Sequence, residues 1–554
     1  MTEASRGFSK FALFQKGLFG GVIALGFGFI LRLAGLAPFP PEAAIEAFIG
    51  VVPAQIEEGA VQQLGDLAGL LGLLAAALVA LVIYGLLGIF FARYLGRIGV
   101  FKRMSTLERN IVLSILPWLA FGGVALPLTG VSLFGEASPF ASANIAWIFP
   151  LTFLIPQLLF GLALSSGSGP RYQPLPSESV PPAGKSSGFA SKATSRARRE
   201  FVEKGMILGS AFILFLASAG TIVSSLLQQS SPISQGIGPI DLQGAPAIFS
   251  DLRLKTLVDS EVTANNSFYR VAIDLFDPSV DGQAWSLSLG GAVATPKKYN
   301  IANIEALAAR DQYNTFECVS NLVNGNLIGN AKWTGVRISD LLADAGQALP
   351  GAKYVVFYSV DGYSVGIPLS KALMNDSILA LKMNDSVLPQ KHGYPLRAVI
   401  PGLYGMMSAK WVTRIEVIDS VYNGYWQTRG WTNDAAVQAL AFILVPGDGS
   451  SQSLSTSNGS VLLGGVAYAG DRGISSVEVS VDGGRSWSEA TLKAPIGSTT
   501  WTLWAFEWHP ASAGVFHIYA RATDGAGQLQ TSVATDTFPN GATGYASINV
   551  NVGR

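Results

Sequence analysis

The single cysteine of this 554-residue chain sits in the run Thr315-Phe316-Glu317-Cys318-Val319-Ser320-Asn321. An isolated cysteine is commonly a small buried hydrophobe. Here Glu317, Ser320 and Asn321 are polar, which argues against a plain apolar core. A soft metal ligand is a physical reason to keep a lone thiol. A second cluster lies in Lys391-His392-Gly393-Tyr394-Pro395-Leu396-Arg397, Pro401-Gly402-Leu403-Tyr404-Gly405 and Ser408-Ala409-Lys410-Trp411. His392, Arg397 and Lys410 are possible phosphate donors. The glycines let backbone N–H groups approach an anion, and arginine adds a planar two-pronged grip. Taken alone, the stretch reads better as a loop with ordinary solvated cations.

Composition limits what these residues can be. One cysteine excludes intramolecular disulfides and cysteine-rich zinc or iron–sulfur sites. The three histidines, His392, His509 and His517, all lie in the second half, so a membrane haem held by two histidines has no ligands and no haem is expected. His509 before Pro510 and His517 in a strand read as structural. A formal net charge of zero gives no reason to expect a nucleic-acid partner.

The elements that must position these residues fall into two halves. Charged residues make up 13% of the chain and hydrophobic ones 49%, and the long apolar runs are confined to residues 1–228. Five runs approach the length of about 20 residues that a span needs: 11–33, 67–94, 111–128, 145–164 and 205–227. None has a charge at its centre, which favours an anchor over a transporter. The basic residues gather at the N-terminus (Arg6, Lys10, Lys16), at the connection from the second run to the third (Arg93 to Arg109) and between the fourth and fifth (Arg171 to Lys204). The loop after the first run is acidic. The positive-inside rule then puts the N-terminus in the cytoplasm and residues 229–554 outside, on a multi-pass plasma-membrane protein. Residues 165–194 are rich in Ser, Pro and Gly and read as a flexible linker. Arg198-Arg199-Glu200-Phe201-Val202-Glu203-Lys204, before the fifth run, is similar to a twin-arginine export signal, and equally to a positive-inside cluster.

Beyond residue 229 the pattern is that of a soluble protein. From Ile248 to about Asn433 it is mixed: 285–289 and 354–359 read as strands, 301–310 and 338–345 as helices. From about Gln438 helical periodicity stops. Val477 to Val481 alternates, turns at Asp482-Gly483-Gly484 and continues to Trp487; 501–508 and 515–523 are further strands. An immunoglobulin-like β-sandwich is expected there. The boundaries adopted are 1–228, 229–435 and 436–554.

The second half resembles the sulfite oxidase-like molybdopterin oxidoreductases. The resemblance rests on six motifs in the family's order: Asn266-Ser-Phe-Tyr269-Arg270, Phe316-Glu-Cys318-Val-Ser-Asn321, Ile328-Gly-Asn-Ala-Lys-Trp333-Thr-Gly, Ser359-Val-Asp361-Gly-Tyr, His392-Gly-Tyr-Pro-Leu-Arg397 and Lys410-Trp411. It implies an α+β molybdopterin domain and a sandwich like the family's dimerisation domain, joined here to the five-span helical membrane domain that the apolar runs predict. It further implies that Cys318 is the thiolate on molybdenum and a catalytic residue, together with Arg270. Asn266, Tyr269, Arg270, Asp361, His392, Arg397, Ser408, Ala409 and Lys410 would bind the molybdopterin. The activity implied is two-electron chemistry, often oxygen-atom transfer, on a small oxyanion or an S- or N-oxide, with an external electron carrier or redox partner.

Two positions depart from the family. Trp431 in Trp426-Gln-Thr-Arg429-Gly430-Trp431 stands where sulfite oxidases have a tyrosine, and Ser320-Asn321-Leu322 stands where they have an arginine after the metal cysteine. Fewer cations near the metal weaken the case for sulfite, unless Arg270 and Arg429 compensate. The bacterial periplasmic methionine sulfoxide reductases, the other well-known branch, have asparagine at the place of His392. The competing function is a non-catalytic cell-surface module, which predicts loss of the metal ligand or the phosphate grip.

Overall fold

The computed structural model describes residues 10–33, 67–93, isolated residues at 41, within 104–115, within 154–162 and at 236, and residues 242–553 apart from 274–276, 308 and 456–458. The third to fifth expected spans lie outside these, except for scattered residues of the third and fourth. The linker and the paired arginines lie outside them entirely. The chain divides into two units.

In the first unit, α1 (Lys10–Leu33) and α2 (Leu67–Arg93) are long and apolar enough to cross a membrane. Two such helices stand in the described residues, against five expected. They pack through glycine. A Cβ on Gly17 would strike the backbone of Tyr84, one on Gly88 would meet the backbone of Gly17, and one on Gly21 the ring of Tyr84. Small residues spaced by four allow this backbone approach where dispersion, not water exclusion, drives association. Their outward faces carry Leu78, Val79, Val82, Ile83 and Leu86, all exposed.

The second unit is built on four sheets. One runs Lys297–Tyr299 (β2), Leu287–Gly291 (β1), Val412–Ile418 (β10), Tyr354–Ser359 (β5) and Ser364–Pro368 (β6), with β1 and β10 parallel. Another runs Ala309–Glu317 (β3), Ile328–Arg337 (β4), Ile378–Met383 (β7) and Ser386–Val387 (β8), with Arg397–Val399 (β9) paired to β7. The helices between them are short, the longest being Ile338–Asp344. The helical spacing read over 301–310 is cut to Ile301–Glu305, because Ala309 and Arg310 already pair with Val336 and Gly335 in β3. The α+β expectation thus resolves to a β-rich domain whose described helices run to seven residues at most.

The C-terminal part is a two-sheet sandwich. Its first sheet runs Leu440–Val445 (β11), Val461–Tyr468 (β13), Thr502–Trp508 (β17) and Thr491–Leu492 (β16). Its second runs Ser450–Ser453 (β12), Ala546–Gly553 (β19), Gly514–Asp524 (β18), Ile474–Ser480 (β14) and Ser488–Glu489 (β15). Side chains alternate across a strand, and the first sheet uses both faces. Ala441, Ile443, Leu463, Trp504 and Trp508 point into the sandwich core. Leu440, Phe442, Leu462, Val466 and Leu503 join the core of the preceding domain. Every residue of β13 is consequently buried. Gly465 has no room for a side chain, since a Cβ would collide with the Phe442 carbonyl.

A buried ion pair crosses this junction. Lys493 Nζ donates to Glu261 Oε1 and Oε2 at 2.7 and 3.0 Å, and both side chains are almost wholly buried. Trp501 Nε1 and Asn330 Nδ2 both donate to the Glu261 carbonyl. Removing one partner leaves an uncompensated charge, so Glu261→Ala is expected to cost about 3–5 kcal/mol. The double change to methionine at 261 and 493 is expected to restore most of that stability. Guanidinium unfolding of the three proteins checks both.

Candidate active site

Cys318 follows directly on β3, where the strand pairing ends, and begins a tight loop to Leu327. Its N–H donates to the Leu327 carbonyl (2.9 Å), and its carbonyl accepts from Asn321 N–H (3.0 Å). Asn321 Oδ1 accepts from Leu327 N–H (2.9 Å), and Asn321 Nδ2 donates to Glu317 Oε1 (3.0 Å). Burial pushes the Glu317 carboxyl up to about 8, with the Asn321 bond opposing, so it is a neutral acid at neutral pH. The Cys318 sulfur lies 3.0 Å from Ser320 Oγ.

The sandwich holds this loop from outside. Asn324 takes a left-handed backbone conformation (φ 65°), and its Oδ1 accepts from Ile443 N–H at 2.7 Å. Tyr468 Oη donates to the Thr315 carbonyl (2.8 Å), and Trp501 N–H donates to Thr315 Oγ1 (2.9 Å).

The cations come from the other motifs. Arg397 opens β9 fully inside the protein. Its guanidinium lies over the Phe316 and Trp333 rings, at 4.6 and 5.2 Å. Nη1 donates to the His392 carbonyl (3.2 Å), while Nε is buried without a hydrogen-bond partner. Burial pushes it down to about 10. Lys410 Nζ donates to the Val271 carbonyl (3.0 Å) and lies 4.1 Å from the Trp411 ring centre. Burial pushes it down to about 7. Arg270 and Arg397 add to this, and Asp277 and Asp361 oppose it. His392 Nε2 stands 2.7 Å from the Asn265 carbonyl, which can only accept. Burial, with Arg397, Lys391 and Lys410 nearby, pushes the imidazole down to about 3. The ring is therefore neutral with its proton on Nε2, and Nδ1 is left as an acceptor. The phosphate donor expected at His392 has already given its one N–H to the backbone.

One cavity gathers these groups. Cys318, Tyr269, Arg270, Asp361, His392, Arg397, Ser408, Ala409 and Lys410 all line it. Asn266 does not: it is exposed, its Oδ1 accepts from Ser267 and its carbonyl accepts from Lys391 Nζ. Arg270 is held by Asp277 through contacts of 2.9–3.0 Å. Asp361 Oδ1 accepts from Tyr363 N–H in a turn made at Gly362 (φ 82°), and burial pushes its carboxyl up to about 6. A Cβ on Gly405 would collide with the Tyr269 hydroxyl, so that glycine makes room for the tyrosine. Arg429 is not in the wall; it stacks at 3.6 Å on Tyr425 and donates to its carbonyl.

Tyr363 and Met406 also line the cavity, and the motifs gave them no role. Tyr363 follows Asp361-Gly362 directly, so its place was legible; nothing marks Met406. Among the described residues, no three or more His, Cys, Asp or Glu side chains converge.

The Oxidoreductase molybdopterin binding domain matches residues 275–426, and the Mo-co oxidoreductase dimerisation domain matches residues 429–538. The chain is 31% identical over 321 residues to the mitochondrial sulfite oxidase of Drosophila melanogaster, covering 50% of this chain and 56% of that one. It is 30% identical over 334 residues to the sulfite oxidase of Arabidopsis thaliana, covering 50% of this chain and 83% of that one. It spans little more than half the length of the curated relatives it matches first. The solved sulfane dehydrogenase SoxCD of Paracoccus pantotrophus is 22% identical, with a TM-score of 0.46, covering 53% of this chain and 84% of that one.

The Lys410 ammonium gives a test of the cavity's charge. Its pKa lies below the ordinary 10.5 when folded, so the unfolded chain binds more protons between about pH 7 and 10.5. Stability of the cofactor-free protein is therefore expected to rise with pH across that window. Lys410→Met is expected to flatten the rise, and thermal midpoints from pH 7 to 10 check it.

Proposed function

Because the chain belongs to the sulfite oxidase family of molybdopterin-binding oxidoreductases, we propose that it is a membrane-anchored molybdenum oxidoreductase acting outside the cytoplasm. One observation carries the reading: a thiol, a buried guanidinium and a half-buried ammonium, from Cys318, Arg397 and Lys410, open onto the same cavity.

The residues fit the cofactor. A buried guanidinium with an unpartnered Nε, beside an ammonium bonded only to a carbonyl and a ring face, is costly unless an anion enters. A pterin phosphate supplies that charge, and Cys318 supplies the one protein ligand a single-pterin molybdenum needs. When bound, the group supplies two-electron redox chemistry at the metal. The chain does the rest. Arg397 and Lys410 hold the phosphate, and the backbone of Ser408 and Ala409 lines its approach. His392 presents Nδ1 as an acceptor to the pterin's N–H edge. Burial holds the Tyr269 and Tyr363 hydroxyls well above their ordinary range, so both stay protonated beside Cys318. The Tyr363 proton is committed to the Met406 carbonyl, which leaves the Tyr269 hydroxyl to donate into the cavity. The substrate is a small oxyanion or an S- or N-oxide, and electrons pass to or from an external carrier.

Five spans anchor the protein, with the N-terminus in the cytoplasm. Support comes from the apolar outer faces of α1 and α2 and from the one-sided distribution of lysine and arginine. Export of the folded domain through the arginine pair Arg198-Arg199 fits a cofactor made in the cytoplasm, and we read the sandwich as immunoglobulin-like.

Purified holoprotein is expected to carry one molybdenum per chain by elemental analysis. Cys318→Ser is expected to abolish turnover of sulfite, sulfoxides and N-oxides while leaving the thermal midpoint of the apoprotein unchanged. A folded protein without molybdenum, or a fully active serine variant, overturns the reading. Replacing both Arg198 and Arg199 by lysine is expected to keep the soluble half from protease added outside the cell; normal accessibility removes the export claim.

A further inference from the structure

We propose that Trp426 and Trp431 form an aromatic clamp in the cavity, selecting an uncharged substrate with an apolar or aromatic substituent over a small dianion. The inference rests on the oxidoreductase reading above and narrows its substrate. Both indoles line the cavity that holds Cys318. A single turn links them: Trp431 N–H donates to the Trp426 carbonyl at 3.2 Å, across a 3-10 turn over Gln427–Arg429. Gly430 (φ 97°) reverses the chain. Neither ring is loose. Trp431 is 7% exposed and meets Phe538 edge-on, with centroids 5.2 Å apart. Trp426 meets Tyr425 edge-on at 5.0 Å. Locked aromatic faces offer a large contact area at little entropic cost.

The cavity's positive charge is placed elsewhere. Arg270 is held by Asp277, Lys391 is bonded to the Asn266 carbonyl, and His392 is neutral. Arg397 and Lys410 sit in the motifs that fit the phosphate. Arg429, next to the clamp in sequence, stacks on Tyr425 outside the wall. The segment after Cys318 supplies Val319 and Ser320, not a cation. A dianion brought against Trp426, Trp431 and Met406 would lose its hydration without gaining a cation from those residues, whereas an aryl or thioalkyl group would gain contact.

The test reaction is reduction of methyl phenyl sulfoxide. The S–O bond breaks, the oxygen leaves as water with two protons, and two electrons come from reduced benzyl viologen, yielding the thioether. In the holoenzyme, kcat/KM for this sulfoxide is expected to exceed that for dimethyl sulfoxide by about tenfold or more. Trp431→Ala and Trp426→Ala are expected to bring the ratio toward one, mainly through KM, and Trp431→Phe to retain it. A second readout is quenching of intrinsic fluorescence on titration with methyl phenyl sulfoxide, expected in the wild type and lost in Trp431→Ala. Sulfite oxidation by ferricyanide at a higher kcat/KM than either sulfoxide overturns the clamp while leaving the oxidoreductase reading intact. So does a ratio unmoved by both alanine changes. If molybdenum-loaded protein turns over nothing, the oxidoreductase reading fails, and saturable quenching that depends on Trp431 still decides the clamp.

Discussion

Positive charge held away from water is the constraint on which this cavity depends. Arg397 lies over two aromatic rings with one nitrogen unpartnered, and burial pushes the Lys410 ammonium down to about 7. An interior carries such groups only when something compensates them. The nearby carboxylates do little of this. Asp277 is taken by Arg270, and Asp361 is itself pushed toward its neutral form. His392 settles the same conflict by staying uncharged. The protein's own groups therefore leave this local positive charge largely uncompensated.

The thiol meets a different constraint, which is position. Cys318 lies at the end of a paired strand, in a loop closed by its own backbone bonds and by Asn321. Asn324 ties the far side of that loop to β11. Because the first sandwich sheet buries both faces, one in each core, the sandwich cannot shift without moving the Cys318 loop. The C-terminal domain thus works as a mount for the reactive sulfur as well as a module in its own right.

Much of the site was legible in the sequence because its residues come in short contiguous motifs, and each motif is one turn or strand end. Cys318 with Asn321, Asp361 with Gly362, and His392 with Arg397 are local units whose geometry travels with them. Asn266 stands outside the cavity lining while its neighbour Asn265 supplies the carbonyl that His392 meets, and a backbone acceptor leaves no mark in residue type. The tautomer of His392 was hidden for the same reason. The strands β3 and β4 were missed because their buried polar residues, Asn314, Thr315 and Asn330, break the apolar alternation. Thr315 is met across the domain junction by Trp501, Asn330 bonds to Thr263 and the Glu261 carbonyl within its own domain, and Asn314 Nδ2 donates to the Thr315 carbonyl. The helix read over 301–310 ran too long because pairing with β4 outweighed local spacing.

The same distinction between local and distant determinants bears on specificity. The side of the cavity with Arg397 and Lys410 is set by short contiguous motifs. The side near Trp426 and Trp431 is set by one short turn whose residues pack outward on Tyr425 and Phe538. Phe538 belongs to the sandwich part of the chain, more than a hundred residues away in sequence. The two sides of the cavity therefore have separate determinants, and the ring at the end of that turn is held still by a partner ring from the sandwich.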